Sequence, residues 1–182
     1  MELASNIRLR IGKSLLKKKA LKVCRKVSYN GFDRVRRIAV VWDASNSNEF
    51  NNLSKFHQKM NDRNIEVKVL GYFPGKNMPD QYTAIRYLTC LRRNDVNFFY
   101  IPNSGESDHF INDRFDILID MNFENLLPLK YLSSMSQAAF KIGLSEDEKN
   151  NDIFDMMMEM KKPVDAGDFL EQTMYYLEMI KS

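Results

Sequence analysis

From Arg37 onward the sequence alternates short apolar runs with amphipathic stretches. This alternation limits the fold more than any other feature. IAVVW (38–42), VKVLGYF (67–73), NFFYI (97–101), DILIDM (116–121), AAFKIG (138–143) and IFDMMME (153–159) each read as a strand. Residues 47–62, 80–92 and 124–135 carry apolar side chains at helical spacing. Residues 166–180 read as a last helix, with Asp165 as its N-cap. PNSGESDHFINDR (102–114) and SEDEKNND (145–152) read as polar loops.

Strands that alternate with helices pair in parallel through right-handed crossovers, which puts helices on both faces of the sheet. The expected fold class is therefore α/β. It is a Rossmann-like three-layer sandwich around a mostly parallel, doubly wound sheet of strand order 3-2-1-4-5. The expected division is a basic N-terminal helix and linker over 1–36 and the α/β domain over 37–182.

The first 37 residues differ in kind from the rest. They hold twelve Lys or Arg and two acids, for a net charge of +10, and the remainder carries −7. Residues 3–27 read as one helix with two apolar stripes. Leu3, Ile7, Ile11 and Leu15 form one stripe. Leu9, Leu16, Ala20, Val23 and Val27 form the other, and these are expected to pack on the body. Arg10, Lys13, Lys17, Lys18, Lys19, Lys22, Arg25 and Lys26 then make a dense positive field. Phosphate backbones attract such a field. The absence of an aromatic in residues 1–27 argues against a membrane-surface helix. The leading expectation is a non-enzymatic binding protein whose basic helix engages RNA or the ribosome. A solvated helix that pairs with the acidic body, or a module for a protein partner, are the other readings.

Several chemistries lack their motifs. None of the seven glycines lies between the first strand and the next helix, so a dinucleotide loop has no place there. There is no P-loop and no nucleophile elbow. Ser104, Ser107, Asp108 and His109 crowd one stretch, and local crowding does not make a triad. His57, His109, Cys24 and Cys90 lack zinc-ligand spacing, so no metal site is expected. Two isolated thiols, no apolar run of membrane-spanning length and no signal core fit a cytoplasmic protein.

One candidate ligand site remains. Doubly wound sheets bind ligands beyond the carboxyl ends of the strands, where the winding reverses. Asp43, Ser45 and Asn46 follow the first strand, and Asp120 and Asn122 lie at the end of the fourth. Paired carboxylates there can hold a hard cation or the hydroxyls of a sugar. The same residue types also start helices, with Glu49 completing a capping-box pattern, and that plainer reading carries more weight.

WDASN, FDILIDMN and LPLKYLSSMSQAAFKIG together resemble an uncharacterised single-domain family common in Bacteroidota, over most of residues 30–180. The resemblance implies a cytoplasmic α/β domain. More distantly, residues 116–143 are similar to the N-terminal domain of heptosyltransferases, where a strand ending in Asp precedes a helix and an Ala…Ile-Gly strand follows. The glycine-rich loop with that family's catalytic aspartate has no counterpart at Asp43, and its second Rossmann domain is absent. The resemblance implies at most a degenerate glycosyltransferase-like ligand-binding domain, or a small enzyme using Asp43 and Asp120.

Overall fold

The computed structural model describes residues 2–145 and 153–180. Its described strands are β1 (Arg37–Asp43), β2 (Glu66–Phe73), β3 (Leu88–Arg92), β4 (Ile117–Met121), β5 (Phe140–Leu144) and β6 (Met156–Met158). They form one sheet of order β3-β2-β1-β4-β5-β6, and every pairing is parallel. The α/β expectation holds, and the winding reverses between β1 and β4. These two strands are apolar at nearly every position because both of their faces are covered.

The described helices are α1 (Glu2–Ala20), α2 (Phe50–Asn61), α3 (Gly105–Asn112), α4 (Leu127–Met135) and α5 (Ala166–Met179). On one sheet face Ile38, Val40 and Trp42 share a core with Leu53, Phe56 and Met60 of α2 and with Phe169, Met174 and Leu177 of α5. On the other, Ala39, Val41 and Leu118 meet Phe110 of α3 and Leu129 and Leu132 of α4. Asp165 caps α5 as expected, its Oδ1 accepting from the Asp168 amide at 2.9 Å. Helix α1 contributes no residue to either of these two sheet-facing cores. It lies outside α4, where Leu16 joins Leu127, Tyr131 and Ile101 in a third cluster.

Four expectations fail for identifiable reasons. Residues 80–92 are not a helix. A 3₁₀ turn at Asp80–Tyr82 leads instead into β3. The spacing of Leu88 and Leu91 suited a helix, but they sit on opposite faces of a strand that is buried on both sides. Residues 97–101 are a turn rather than a strand. Asn97 Oδ1 accepts from the Phe99 and Ile101 amides at 2.9 and 3.1 Å, and Tyr100 takes φ 62°. A local side-chain acceptor outweighs the strand preference of three aromatics. The expected loop at 102–114 contains α3, which Ser104 starts by accepting from the Ser107 amide at 3.3 Å.

The first helix, finally, stops at Ala20 and not at residue 27. Lys22 and Val23 bond back to Lys19 and Ala20 in a tight turn. The chain then crosses to the start of β5, where the Ser28 amide bonds the Ala139 carbonyl at 3.1 Å. Val27 is consequently exposed, and the second stripe ends at Ala20. Of the acidic loop expected at 145–152, all but Ser145 lies outside the described residues.

Candidate functional site

Asp43 is the last residue of β1 and is buried. Its Oδ1 accepts from the Ser45 amide at 3.0 Å and from the Ser45 hydroxyl at 2.6 Å. Asn46 does not cap α2. Its Nδ2 donates to Glu49 Oε1 at 2.7 Å, while the Trp42 indole donates to Glu49 Oε2 at 3.0 Å. So the loop starts no helix by side-chain capping, contrary to the plainer expectation, and α2 has no side-chain cap. It folds instead around its own acids. Burial pushes the Glu49 carboxyl up to about 7, the Trp42 bond pulls against this, and nearby Asp43 adds to the rise.

Asp120 is also buried and stands in register with Val41 on the neighbouring strand, two residues short of Asp43. Strand alternation puts both aspartates on the face covered by α3 and α4. Asp120 Oδ1 accepts from the Asn122 amide at 2.7 Å. Asn122 brackets the next turn: its Oδ1 accepts from the Leu126 amide at 2.8 Å and its Nδ2 donates to the Leu126 carbonyl at 2.9 Å. Asp120 and Asn122 line a cavity of about 20 Å³ with Asn125, Lys130, Leu144, Ile153 and Phe154. That is room for about one water. Asp43, Ser45 and Asn46 do not line it. The five residues therefore occupy one edge of the sheet as two local networks. Among the described residues, no three His, Cys, Asp or Glu side chains are grouped to hold a metal ion. The Ser104–Ser107 pair is absorbed in the α3 cap, and Ser107 is buried with its hydroxyl donating to the Ser104 carbonyl at 2.7 Å.

A buried cation was overlooked in the sequence. Lys141 of β5 is 2% exposed, and its Nζ donates to the Ser133 and Ser134 carbonyls at 2.7 and 3.3 Å, near the carboxyl end of α4. Burial lowers its pKa to about 7, and Arg25 adds to the fall, while Asp155 and Asp120 oppose it. The available signal was a lysine in the middle of a strand expected to be buried on both faces.

The second candidate surface is the basic segment. Helix α1 is seated by close approach. A Cβ on Gly12 would stand 2.2 Å from the Phe99 carbonyl oxygen, so the helix backbone rests on the 97–101 turn. Ser5 Oγ and Tyr100 Oη are 3.0 Å apart, and Arg8 Nε donates to the Phe98 carbonyl at 2.7 Å. With this face fixed, Arg10, Lys13, Lys17, Lys18, Lys19, Lys22 and Lys26 are exposed. Lys19 also donates to the Tyr131 hydroxyl at 3.3 Å. Arg25 has a different situation. It pairs with Asp155 at 2.7 Å and donates to the Ala138 and Ala139 carbonyls, with its side chain 14% exposed. Arg25 thus fastens the segment to the start of β5, and the other seven carry the solvent-facing charge.

Among the described residues, no helix is long and apolar enough to cross a membrane. The model of a family of unknown function, DUF6913, matches residues 8–180, a stretch that includes the basic segment. No curated protein and no solved structure matches the chain.

Proposed function

The chain belongs to that family of unknown function, and we propose that within it this protein is a non-enzymatic binding protein whose basic segment engages RNA, on the ribosome or as another structured RNA. The observation that supports this is the disposition of charge on a seated helix. Arg10, Lys13, Lys17 and Lys18 of α1, and Lys22 and Lys26 on the segment after it, stand in solvent, while Gly12, Leu16 and Ser5 seat the helix. A preformed cationic ridge meets phosphates without first ordering itself, and its affinity comes from counterion release.

The test is binding of the full chain to ribosomes and to a structured RNA over a salt series. With about six phosphate contacts, affinity should fall by roughly a thousandfold between about 50 and 200 mM salt. Changing Lys13, Lys17, Lys18, Lys22 and Lys26 to Gln should flatten that slope and leave the melting temperature within a few degrees. Salt-independent binding, or equal binding by the charge variant, sinks the reading.

A second reading rests on the burial of Asp43, Glu49 and Asp120 at one end of the sheet. It makes that edge a small-ligand site, as in a degenerate glycosyltransferase-like domain or a small enzyme using Asp43 and Asp120. It requires that magnesium or a nucleotide sugar raise the melting temperature of the parent and not of Asp120→Asn.

A further inference from the structure

The RNA reading leaves one surface of α1 unused. At about 100° per residue, Leu3, Ile7 and Ile11 form a ridge on the side of the helix turned away from α4. They are 78%, 52% and 41% exposed. Single exposed aliphatics are ordinary, but three in a row at a spacing of four on one helix are a surface without a partner. Arg10, Lys13 and Lys17 run along one flank of the ridge, and Lys18 continues it toward the carboxyl end. On the other flank stands Phe98, 65% exposed, with the Arg8 guanidinium 4.0 Å from its ring centroid. The turn that carries Phe98 is held by Asn97, so the ring is presented from a fixed position. The aromatic that residues 1–27 lack is thus supplied from across the fold.

We propose that this outer face of α1, with Phe98 beside it, docks in the plane of an anionic lipid surface. A second copy of the chain is a poor occupant. Back-to-back ridges would bring together Arg10, Lys13, Lys17 and Lys18 of both copies, with Glu2 the sole acid of each helix. The ridge lies on the outermost layer of the molecule with cations along its flank, and a continuous anionic surface matches both its apolar side chains and its charge. Aliphatic side chains enter the acyl boundary, the Lys and Arg stems lie along it, and their charges reach the lipid phosphates. A shallow apolar ridge and a basic flank are each weak anchors that alone give marginal, reversible binding, and together they supply the two signals that stable anchoring takes. The inference does not rest on the RNA reading, because phosphate contacts make no use of Leu3, Ile7 or Ile11.

The test is flotation of the full chain with vesicles of phosphatidylcholine alone or with about a third phosphatidylglycerol, at low and high salt. One variant carries Leu3→Ser, Ile7→Ser and Ile11→Ser; a second carries Phe98→Ser. All four side chains are exposed, so the melting temperature checks that the fold is kept. The parent should float with anionic vesicles and stay behind with neutral ones. The triple variant should lose binding at least tenfold, and Phe98→Ser severalfold, while both keep their affinity for RNA. Failure of the parent to float with anionic vesicles overturns the proposal. So does a triple variant that floats like the parent, since that binding is charge alone. Loss of RNA affinity in the triple variant without any vesicle binding assigns the ridge to an RNA interface and likewise overturns it. Vesicle binding without RNA binding leaves this proposal standing and removes the RNA reading.

Discussion

Two buried ionisable side chains, Glu49 and Lys141, give the protein its clearest pH behaviour. The folded-state pKa of Glu49 is raised from 4.5 to about 7, so between those values the folded protein binds more protons than the unfolded one. Its contribution is fully present below pH 4.5 and is lost as pH rises through 7. The folded-state pKa of Lys141 is lowered from 10.5 to about 7, so in that interval the unfolded chain binds more protons and stability rises with pH. The two slopes meet near neutrality. Denaturant unfolding at pH 5, 7 and 9 should show a local minimum of stability at pH 7. Glu49→Gln should flatten the limb below it, with the Trp42 indole still able to donate to the amide oxygen. Lys141→Met should flatten the limb above it. Unchanged limbs in both variants would mean that other groups set the profile. Asp43 and Asp120 each accept hydrogen bonds from a residue two positions on. Asp43→Asn keeps an acceptor for the Ser45 amide and should cost little. Asp43→Ala should cost about 1–3 kcal/mol in thermal or denaturant unfolding.

Among the elements, α1 has the most demanding seat. With Gly12 set against the Phe99 carbonyl, Gly12→Ala should force the helix outward and destabilise the protein by about 1–3 kcal/mol. Limited proteolysis should then cut near Leu21 and Lys22, where the helix ends, faster than in the parent. Asn97→Ala should reach the same result by a different route. It removes the acceptor that shapes the turn beneath α1. Neither dependence was legible in the sequence. The choice of stripe was legible, since Leu9 and Leu16, expected to pack on the body, are seated where Leu3, Ile7 and Ile11 are not; the close approach at Gly12 and the bonds to Asn97 leave no periodic signal. The central strands were legible because β1 and β4 are continuous apolar runs. β3 was hidden because a strand buried on both faces can imitate helical spacing over four residues. The turn at 97–101 was hidden because its three aromatics suit strands and its governing bond comes from Asn97.

The whole molecule combines a parallel α/β body of negative charge with a positive segment that crosses two of its layers. The body's placement of Asp43 and Asp120 at the reversal point of the sheet followed from the sequence. Their separation into two local networks did not, because it depends on which neighbour each carboxylate finds. At this scale the segment reads as a strap. Arg25 and Ser28 tie it to the start of β5, and the Tyr29 hydroxyl reaches the Leu177 carbonyl on the opposite side of the sheet. Breaking the Arg25–Asp155 pair by Arg25→Gln should loosen the strap without moving the sheet. Hydrogen exchange should then quicken in residues 20–30 and stay unchanged in β1 and β4.

The strap also has a consequence for the order in which the chain is made. The described contacts that seat α1 are formed with residues far later in the chain: Phe98 to Ile101, Leu127 and Tyr131. During synthesis the basic helix therefore emerges long before its seat exists. It spends that interval as an unattached cation within reach of the ribosome's own RNA. The segment joins the body only once β4 and α4 have followed it out.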